Sequence, residues 1–140
     1  LLGIRAWGYS PPSLGGLVFS QWEQDGTADR IADDVIVESE ARTQLASSIL
    51  GKAMAVPGAG RSLHVWMPMP MLDAERLSAR ALRASIALTP PDGPIVDAVA
   101  PSGVRLCLGG LRSRDALEQA LNDIAAMLAP AGGSAARGLV

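Results

Sequence analysis

One stretch in the last third of the chain alternates between apolar and polar residues. Val104, Leu106 and Leu108 alternate with Arg105 and Cys107, which is the period-two pattern of a strand with one buried face. The pattern predicts that Arg105 points out of the sheet. Its guanidinium carries a planar fork of donors that suits two-point contact with a carboxylate. Two interpretations follow: a structural ion pair with a protein carboxylate, or a binding site for an acidic ligand.

Apolar residues spaced by three and four positions predict four helices. The first covers 13–25, and the second runs from a capping Thr27 to Gly51. The second is much longer than the average helix of about 11–12 residues. The third and fourth begin at capping residues Asp73 and Ser113. The predicted apolar face of each helix, from the first to the fourth, consists of Leu14, Leu17, Val18 and Trp22; of Ile31, Val35, Arg42, Leu45 and Ile49; of Leu77, Ala81 and Ala84; and of Leu117, Leu121, Ile124 and Leu128.

Two further strands are predicted, LHVWM at 63–67 and SIALT at 85–89. The order of elements indicates an α/β (α+β) fold with a small, mainly antiparallel sheet, helices on one face and a long N-terminal helix. We expect one domain over 13–129. An arm or linker over 1–12 precedes it, and a disordered tail over 130–140 follows it.

Composition and charge narrow the class of protein. The chain has 140 residues, 49% of them hydrophobic, which is enough for one domain with its own core. Twelve basic and 14 acidic residues are mixed along the chain, for a net charge of −2, so we expect neither direct nucleic-acid binding nor membrane binding. The single cysteine and the lack of a ~20-residue apolar run lead us to expect a cytoplasmic protein. Because the sequence opens at Leu1 without methionine, we expect a fragment of a longer protein.

Apart from Arg105, few residues are candidates for catalysis or for binding a metal or ligand. His64 is the only histidine and has no cysteine or carboxylate at ligand spacing, so no metal site is expected. Cys107 has no neighbouring histidine to activate it, which favours a buried, apolar role. Lys52, the only lysine, follows the predicted helix end and is expected at the surface. No residue of the chain is predicted to be catalytic.

Several segments together resemble a known family. They are DGTADRI at 25–31, EARTQLASSIL at 40–50, LHVWMPMP at 63–70, ALTP at 87–90 and GVRLCLGGLRSRDALEQAL at 103–121. They resemble the C-terminal part of fold-type I, pyridoxal-phosphate-dependent aminotransferases. Within that class the chain is most similar to the MocR-type regulators of the GntR family, which join a winged helix-turn-helix to an aminotransferase-like domain.

The resemblance implies that this chain is the small domain of such a protein. By motif match, Arg105 falls on the arginine that binds the α-carboxylate of the amino acid or of its external aldimine. The chain itself holds no cofactor. Pyridoxal phosphate would belong to the parent protein, because the family's Schiff-base lysine lies upstream in the large domain and Lys52 does not correspond to it. The implied partners are that missing large domain, a second copy in a homodimer, and an amino-acid-like effector or substrate.

Three functional hypotheses are open. The first is the effector domain of a transcriptional regulator. The second is the small domain of a catalytic class I/II aminotransferase. The third, which needs no resemblance, is a free-standing small-molecule-binding α/β module. The upstream sequence of the parent gene separates the first two, since only a regulator would carry a winged-helix segment.

Overall fold

A computed structural model describes residues 13–55, 57–89, 93 and 101–129. The predicted arm over 1–12, most of the segment 90–102 and the predicted tail over 130–140 lie outside the described residues.

Helices account for most of the described chain. The elements in chain order are α1 (Ser13–Gln24), α2 (Thr27–Leu50), a 3-10 turn (Gly51–Ala53), β1 (His64–Pro68), α3 (Met71–Arg83), β2 (Gly103–Cys107) and α4 (Arg114–Leu128). The two strands pair antiparallel, so the described residues form a small α+β fold and confirm the predicted fold class. The chain forms two compact units, Leu1–Glu38 and Ser39–Val140.

The described part of the first unit exposes its apolar side chains. None of the residues from 14 to 38 is buried. The large apolar residues exposed here are Leu14, Leu17, Val18, Phe19, Trp22, Ile31, Val35 and Val37. The two predicted helices are present. Their apolar residues, however, do not build a core among the described residues of this unit.

Asp25, and not Thr27 as predicted, caps the start of α2. The Asp25 carboxylate accepts a hydrogen bond from the Thr27 N–H at 2.9 Å. The Thr27 hydroxyl in turn accepts one from the Arg30 guanidinium at 2.9 Å. Hydrogen bonds from the Thr27 side chain and then from its backbone lower the pKa of Asp25 below its usual value. The carboxylate thus satisfies a backbone donor that the first turn of a helix leaves without an intrahelical partner.

The sheet of the second unit confirms the predicted alternation on β2. Val104 and Leu106 are buried, whereas Arg105 and Cys107 are exposed. On β1, which pairs with β2 along its whole length, the buried residues are Val65 and Met67. The buried face of the sheet is therefore continuous across both strands, and the other face carries Arg105.

Within the second unit, helices pack against the buried face of the sheet. The core consists of Ala46, Leu50 and Met54 from α2 and the turn after it, Val65 and Met67 from β1, Ala74 and Leu77 from α3, Val104, Leu106 and Leu108 from β2 and its end, and Leu117, Leu121 and Ile124 from α4. These residues share one cluster because the apolar stripes of α3, of α4 and of the C-terminal part of α2 lie against the same side of the sheet.

The predicted strand over 85–89 is wrong, and the end of α3 explains why. Ser85 has a positive φ of 62°, and its N–H donates to the Leu82 carbonyl at 3.0 Å. The N–H of Ile86 donates to the Ala81 carbonyl at 2.8 Å, and the Ile86 side chain packs against the core. This is a Schellman motif with serine in the left-handed position. It uses the first two residues of the predicted strand to end the helix.

Two predicted details of α3 are also wrong. Asp73 lies in the first turn, and the residue at the cap position is Pro70, whose carbonyl accepts from the Asp73 and Ala74 N–H groups. Ala84 is exposed because it lies at the C-terminal cap, whereas Ala74 and the correctly predicted Leu77 and Ala81 are buried.

β1 is shifted by one residue from its prediction and includes Pro68. The N–H of Met69 donates to the Ser102 carbonyl at 3.2 Å, so the ladder continues beyond Pro68. Pro68 lies opposite Gly103. In an antiparallel ladder, hydrogen-bonded pairs alternate with pairs that share no hydrogen bond. The neighbouring pair, Met69 and Ser102, is hydrogen-bonded, so Pro68 and Gly103 share none. The missing N–H of proline therefore removes no ladder bond.

Gly103 is the position on β2 where no side chain fits. A Cβ placed there would contact the Met67 carbonyl oxygen and would lie 2.6 Å from Cζ2 of the Trp66 indole. Glycine thus lets the indole lie directly over the β2 backbone, on the same face of the sheet as Arg105.

We expect Gly103→Ala to destabilise the second unit by about 1–3 kcal/mol, the usual cost of forcing extra atoms into a close-packed site. Gly109→Ala is the matched control, since its Cβ would lie 3.4 Å from the nearest atom of Leu63. Urea unfolding followed by far-UV circular dichroism measures both variants. Equal stability of the two variants would contradict the packing of Trp66 on Gly103.

Candidate functional site

Arg105 lies on the exposed face of β2, opposite Trp66 in the strand register. No carboxylate of the described residues lies within ion-pair distance of its guanidinium. Elsewhere in the described chain, Arg61 pairs with Glu40 at 2.8 Å and Arg76 pairs with Asp73 at 3.7 Å. The described structure therefore offers no support for a structural ion pair at Arg105. The assignment of Arg105 to ligand binding stays a prediction.

A cavity of about 350 Å³ adjoins Arg105. It is lined by Ser85, Ile86, Ala87, Leu88, Thr89, Arg105, Leu106, Cys107, Leu108, Gly110, Leu111, Leu117, Ala120, Leu121 and Ile124. Three consecutive lining residues, 105–107, come from both faces of β2. A cavity that touches both faces runs along the edge of that strand, and the lining includes no residue of β1. The cavity therefore follows the edge of β2 that faces away from β1.

The backbone of this edge carries N–H and C=O groups that β1 does not satisfy. Leu108 N–H donates to the Leu63 carbonyl at 2.8 Å, which makes this pair hydrogen-bonded and sets the alternation for the whole ladder. By that alternation the N–H and C=O groups of Arg105 and Cys107 point away from β1. None of them has a backbone partner among the described residues. This edge can therefore donate to and accept from a ligand in the cavity.

Buried Arg42 holds the connection between β2 and α4. Its Nη1 donates to the Leu108 carbonyl at 2.6 Å and to the Leu111 carbonyl at 2.8 Å. Arg42 lies in the second half of α2 and is only 7% exposed. Because Leu108 and Leu111 both line the cavity, this arginine sets the position of one cavity wall.

Thr43, the next residue of α2, anchors the segment that leads into β1. Its hydroxyl donates to the Ser39 carbonyl at 2.7 Å and accepts from the Ser62 N–H at 3.0 Å. Ser62 Oγ then accepts from the His64 N–H at 3.1 Å, at the first residue of the strand. Two adjacent polar residues of one helix therefore position both strands of the sheet.

The start of α4 forms as predicted and completes the cavity. The Ser113 hydroxyl accepts from the Ala116 N–H at 3.2 Å, the usual N-cap contact. Leu117, Leu121 and Ile124 follow at helical spacing and are all buried. All three side chains line the cavity that adjoins Arg105.

The remaining candidates do not assemble into a reactive site. Cys107 is exposed, so its predicted burial is wrong; it shares the face of Arg105, and the core lies on the other side of the sheet. Lys52 is exposed in the 3-10 turn, as predicted. Among the residues described, no group of three or more histidine, cysteine or acidic side chains is arranged to hold a metal ion. No described helix combines the length and apolar character that a bilayer span requires.

Comparison with known proteins leaves the family resemblance a prediction. A scan of the sequence against protein-family models finds no match, and a search among curated proteins finds none either.

We expect Arg42→Met to lower the free energy of unfolding by about 2–3 kcal/mol. The reason is that hydrogen bonds to charged groups contribute about 1.5–3 kcal/mol each and the Leu108 carbonyl would be left buried without its donor. Arg112→Met is the control, because Arg112 is exposed in the same connection and such substitutions usually change stability by less than about 0.5 kcal/mol. Urea unfolding compares them. Similar midpoints for both variants would rule out a stabilising role for Arg42.

Proposed function

We propose that this chain is the C-terminal part of an aminotransferase-like effector domain in a GntR/MocR-type transcriptional regulator. In this proposal Arg105 binds the carboxylate of an amino-acid-like effector. The observation that carries it is the position of Arg105: an exposed arginine without a described carboxylate partner, at the rim of an apolar cavity. A guanidinium in such a place has donors available for a ligand carboxylate.

The exposed surface of α1 supports a further protein partner. Leu14 and Leu17 are 74% and 70% exposed, and Phe19 is 56% exposed. Apolar surface of this kind marks contacts with other protein surface. We assign these contacts to the large domain of the same protein and expect the parent to be a homodimer. The DNA contacts would belong to a separate winged helix-turn-helix, which places the protein in the cytoplasm.

The described residues do not fit a pyridoxal phosphate site. The cofactor needs a Schiff-base lysine, an acid opposite its pyridine nitrogen and donors around its phosphate. The only lysine of the chain is Lys52, which is exposed and does not line the cavity beside Arg105. In the proposal, the cofactor belongs to the large domain of the parent.

A free-standing small-molecule-binding module is the second candidate. One observation favours it: every residue that lines the cavity belongs to the unit Ser39–Val140. If the chain alone binds an effector as tightly as the parent does, the module is favoured. If the parent transaminates and carries no winged helix, the small domain of a catalytic aminotransferase is the correct assignment.

We expect the isolated chain to bind pyridoxal phosphate no more tightly than a free lysine derivative does. Absorption spectra with Nα-acetyl-lysine amide as the reference compound measure this. An internal-aldimine band at lower cofactor concentration than the reference, lost in Lys52→Ala, would contradict the assignment of the cofactor to another domain.

In the parent protein we expect Arg105→Gln to weaken effector binding by about 10- to 100-fold, because a charge-assisted contact to a carboxylate contributes about 1.5–3 kcal/mol. The thermal midpoint should stay unchanged, since Arg105 makes no described ion pair. Arg112→Gln removes an exposed positive charge nearby and should change neither property. Unchanged effector binding in Arg105→Gln would show that the carboxylate binds elsewhere.

A further inference from the structure

The cavity beside β2 combines one charged residue with an apolar interior. From this we infer that it selects a small monocarboxylate with an apolar side chain, which among amino acids means a leucine-like or phenylalanine-like effector and not a dicarboxylic one. This inference rests on the proposed function for the placement of the carboxylate at Arg105. It adds the chemical class of the ligand's side chain, which is the part beyond the carboxylate.

The lining of the cavity supports the apolar preference. Arg105 is the only charged residue among the described residues that line it, and the other polar side chains are those of Ser85, Thr89 and Cys107. The floor consists of Leu117, Leu121 and Ile124, which are 3%, 1% and 3% exposed. A second carboxylate placed on this floor would lose its hydration without gaining a described cation or donor, which is strongly unfavourable.

The size of the cavity supports a small ligand. Its volume of about 350 Å³ is at the lower end of the roughly 300–1,000 Å³ that is usual for ligand sites. A branched aliphatic or single-ring side chain fits a cavity of this volume.

The edge of β2 that faces away from β1 orients the ligand. The N–H and C=O groups of Arg105 and Cys107 that point away from β1 lie along the same cavity. A carboxylate held by the Arg105 guanidinium can also accept from one of these N–H groups, and an α-amino group can donate to a neighbouring carbonyl. The polar end of the ligand therefore lies along the strand edge, and its apolar end lies on the floor formed by α4.

A ligand series tests the inference on the chain itself. Acetate, butanoate, 4-methylpentanoate, glutarate and 4-methylpentanamide are titrated into the ¹⁵N-labelled protein, and chemical shifts give the dissociation constants. We expect affinity to rise about fourfold per buried methylene along the monocarboxylates. Glutarate should bind no more tightly than butanoate. The amide should bind about 10- to 100-fold more weakly than 4-methylpentanoate.

Two variants assign these preferences to the cavity. Arg105→Gln should remove the difference between 4-methylpentanoate and its amide. Ala120→Leu adds a branched side chain to the cavity wall and should abolish the gain from butanoate to 4-methylpentanoate. Ala116→Leu is the matched control, on the same helix but outside the lining, and should leave the series unchanged. Circular dichroism confirms that each variant is folded.

The results distinguish a failure of the inference from a failure of the proposed function. Equal affinity along the monocarboxylate series, tightest binding of glutarate, or no effect of Ala120→Leu would overturn the inference. If the parent binds L-glutamate through Arg105, the proposed function stands and the inference fails. If the series behaves as expected but L-leucine binds more weakly than 4-methylpentanoate, the apolar cavity is correct and the amino-acid effector of the proposed function is not.

Discussion

The second unit depends on one buried arginine. Arg42 donates to the Leu108 and Leu111 carbonyls, which lie where β2 ends and the chain turns toward α4. A connection of this kind has carbonyl groups that neither a strand nor a helix satisfies, and the desolvation of such groups is costly. By accepting from Arg42, they allow β2 to end beside the core, so that α4 can pack its apolar stripe against the same face of the sheet. The wall and the floor of the cavity both follow from this contact.

Arg105 has the opposite surroundings to Arg42. Arg42 is buried and its donors are used by the protein, whereas Arg105 is exposed and has no described carboxylate partner. The two side chains show why a charged residue must be judged by its surroundings and not by its type. Arg42 holds two backbone carbonyls in place, and Arg105 lies at the edge of a cavity without an ion-pair partner among the described residues.

Local patterns were sufficient to predict most elements, because they depend only on neighbouring residues. The alternation around Arg105, the helix start at Ser113 and the long α2 are of this kind. Arg42 could not be assigned in this way. It was recognised only as part of an apolar stripe, since its acceptors lie 66 and 69 positions further along the chain. A charged residue inside an otherwise apolar helical stripe is the one signal that could have marked it.

The errors have equally physical causes. The segment 85–89 has the apolar composition of a strand, but Ser85 and Ile86 end the preceding helix, and their hydrogen bonds to Leu82 and Ala81 leave too few residues for pairing. Burial of Cys107 was expected from its chemistry, although its own alternation placed it beside Arg105. The cavity is formed by segments that are far apart in the sequence, including 85–89, 105–108 and α4, and no local pattern contains that information.

The separation of the two strands in the sequence constrains how the protein assembles during synthesis. His64 pairs with Cys107, 43 positions later, and all of α3 lies between them. Closing a loop of that length costs conformational entropy before any pairing can repay it. While the chain is being synthesised, β1 therefore exists for a time without its partner, with Val65 and Met67 uncovered. During this interval the uncovered strand favours aggregation or capture by a chaperone.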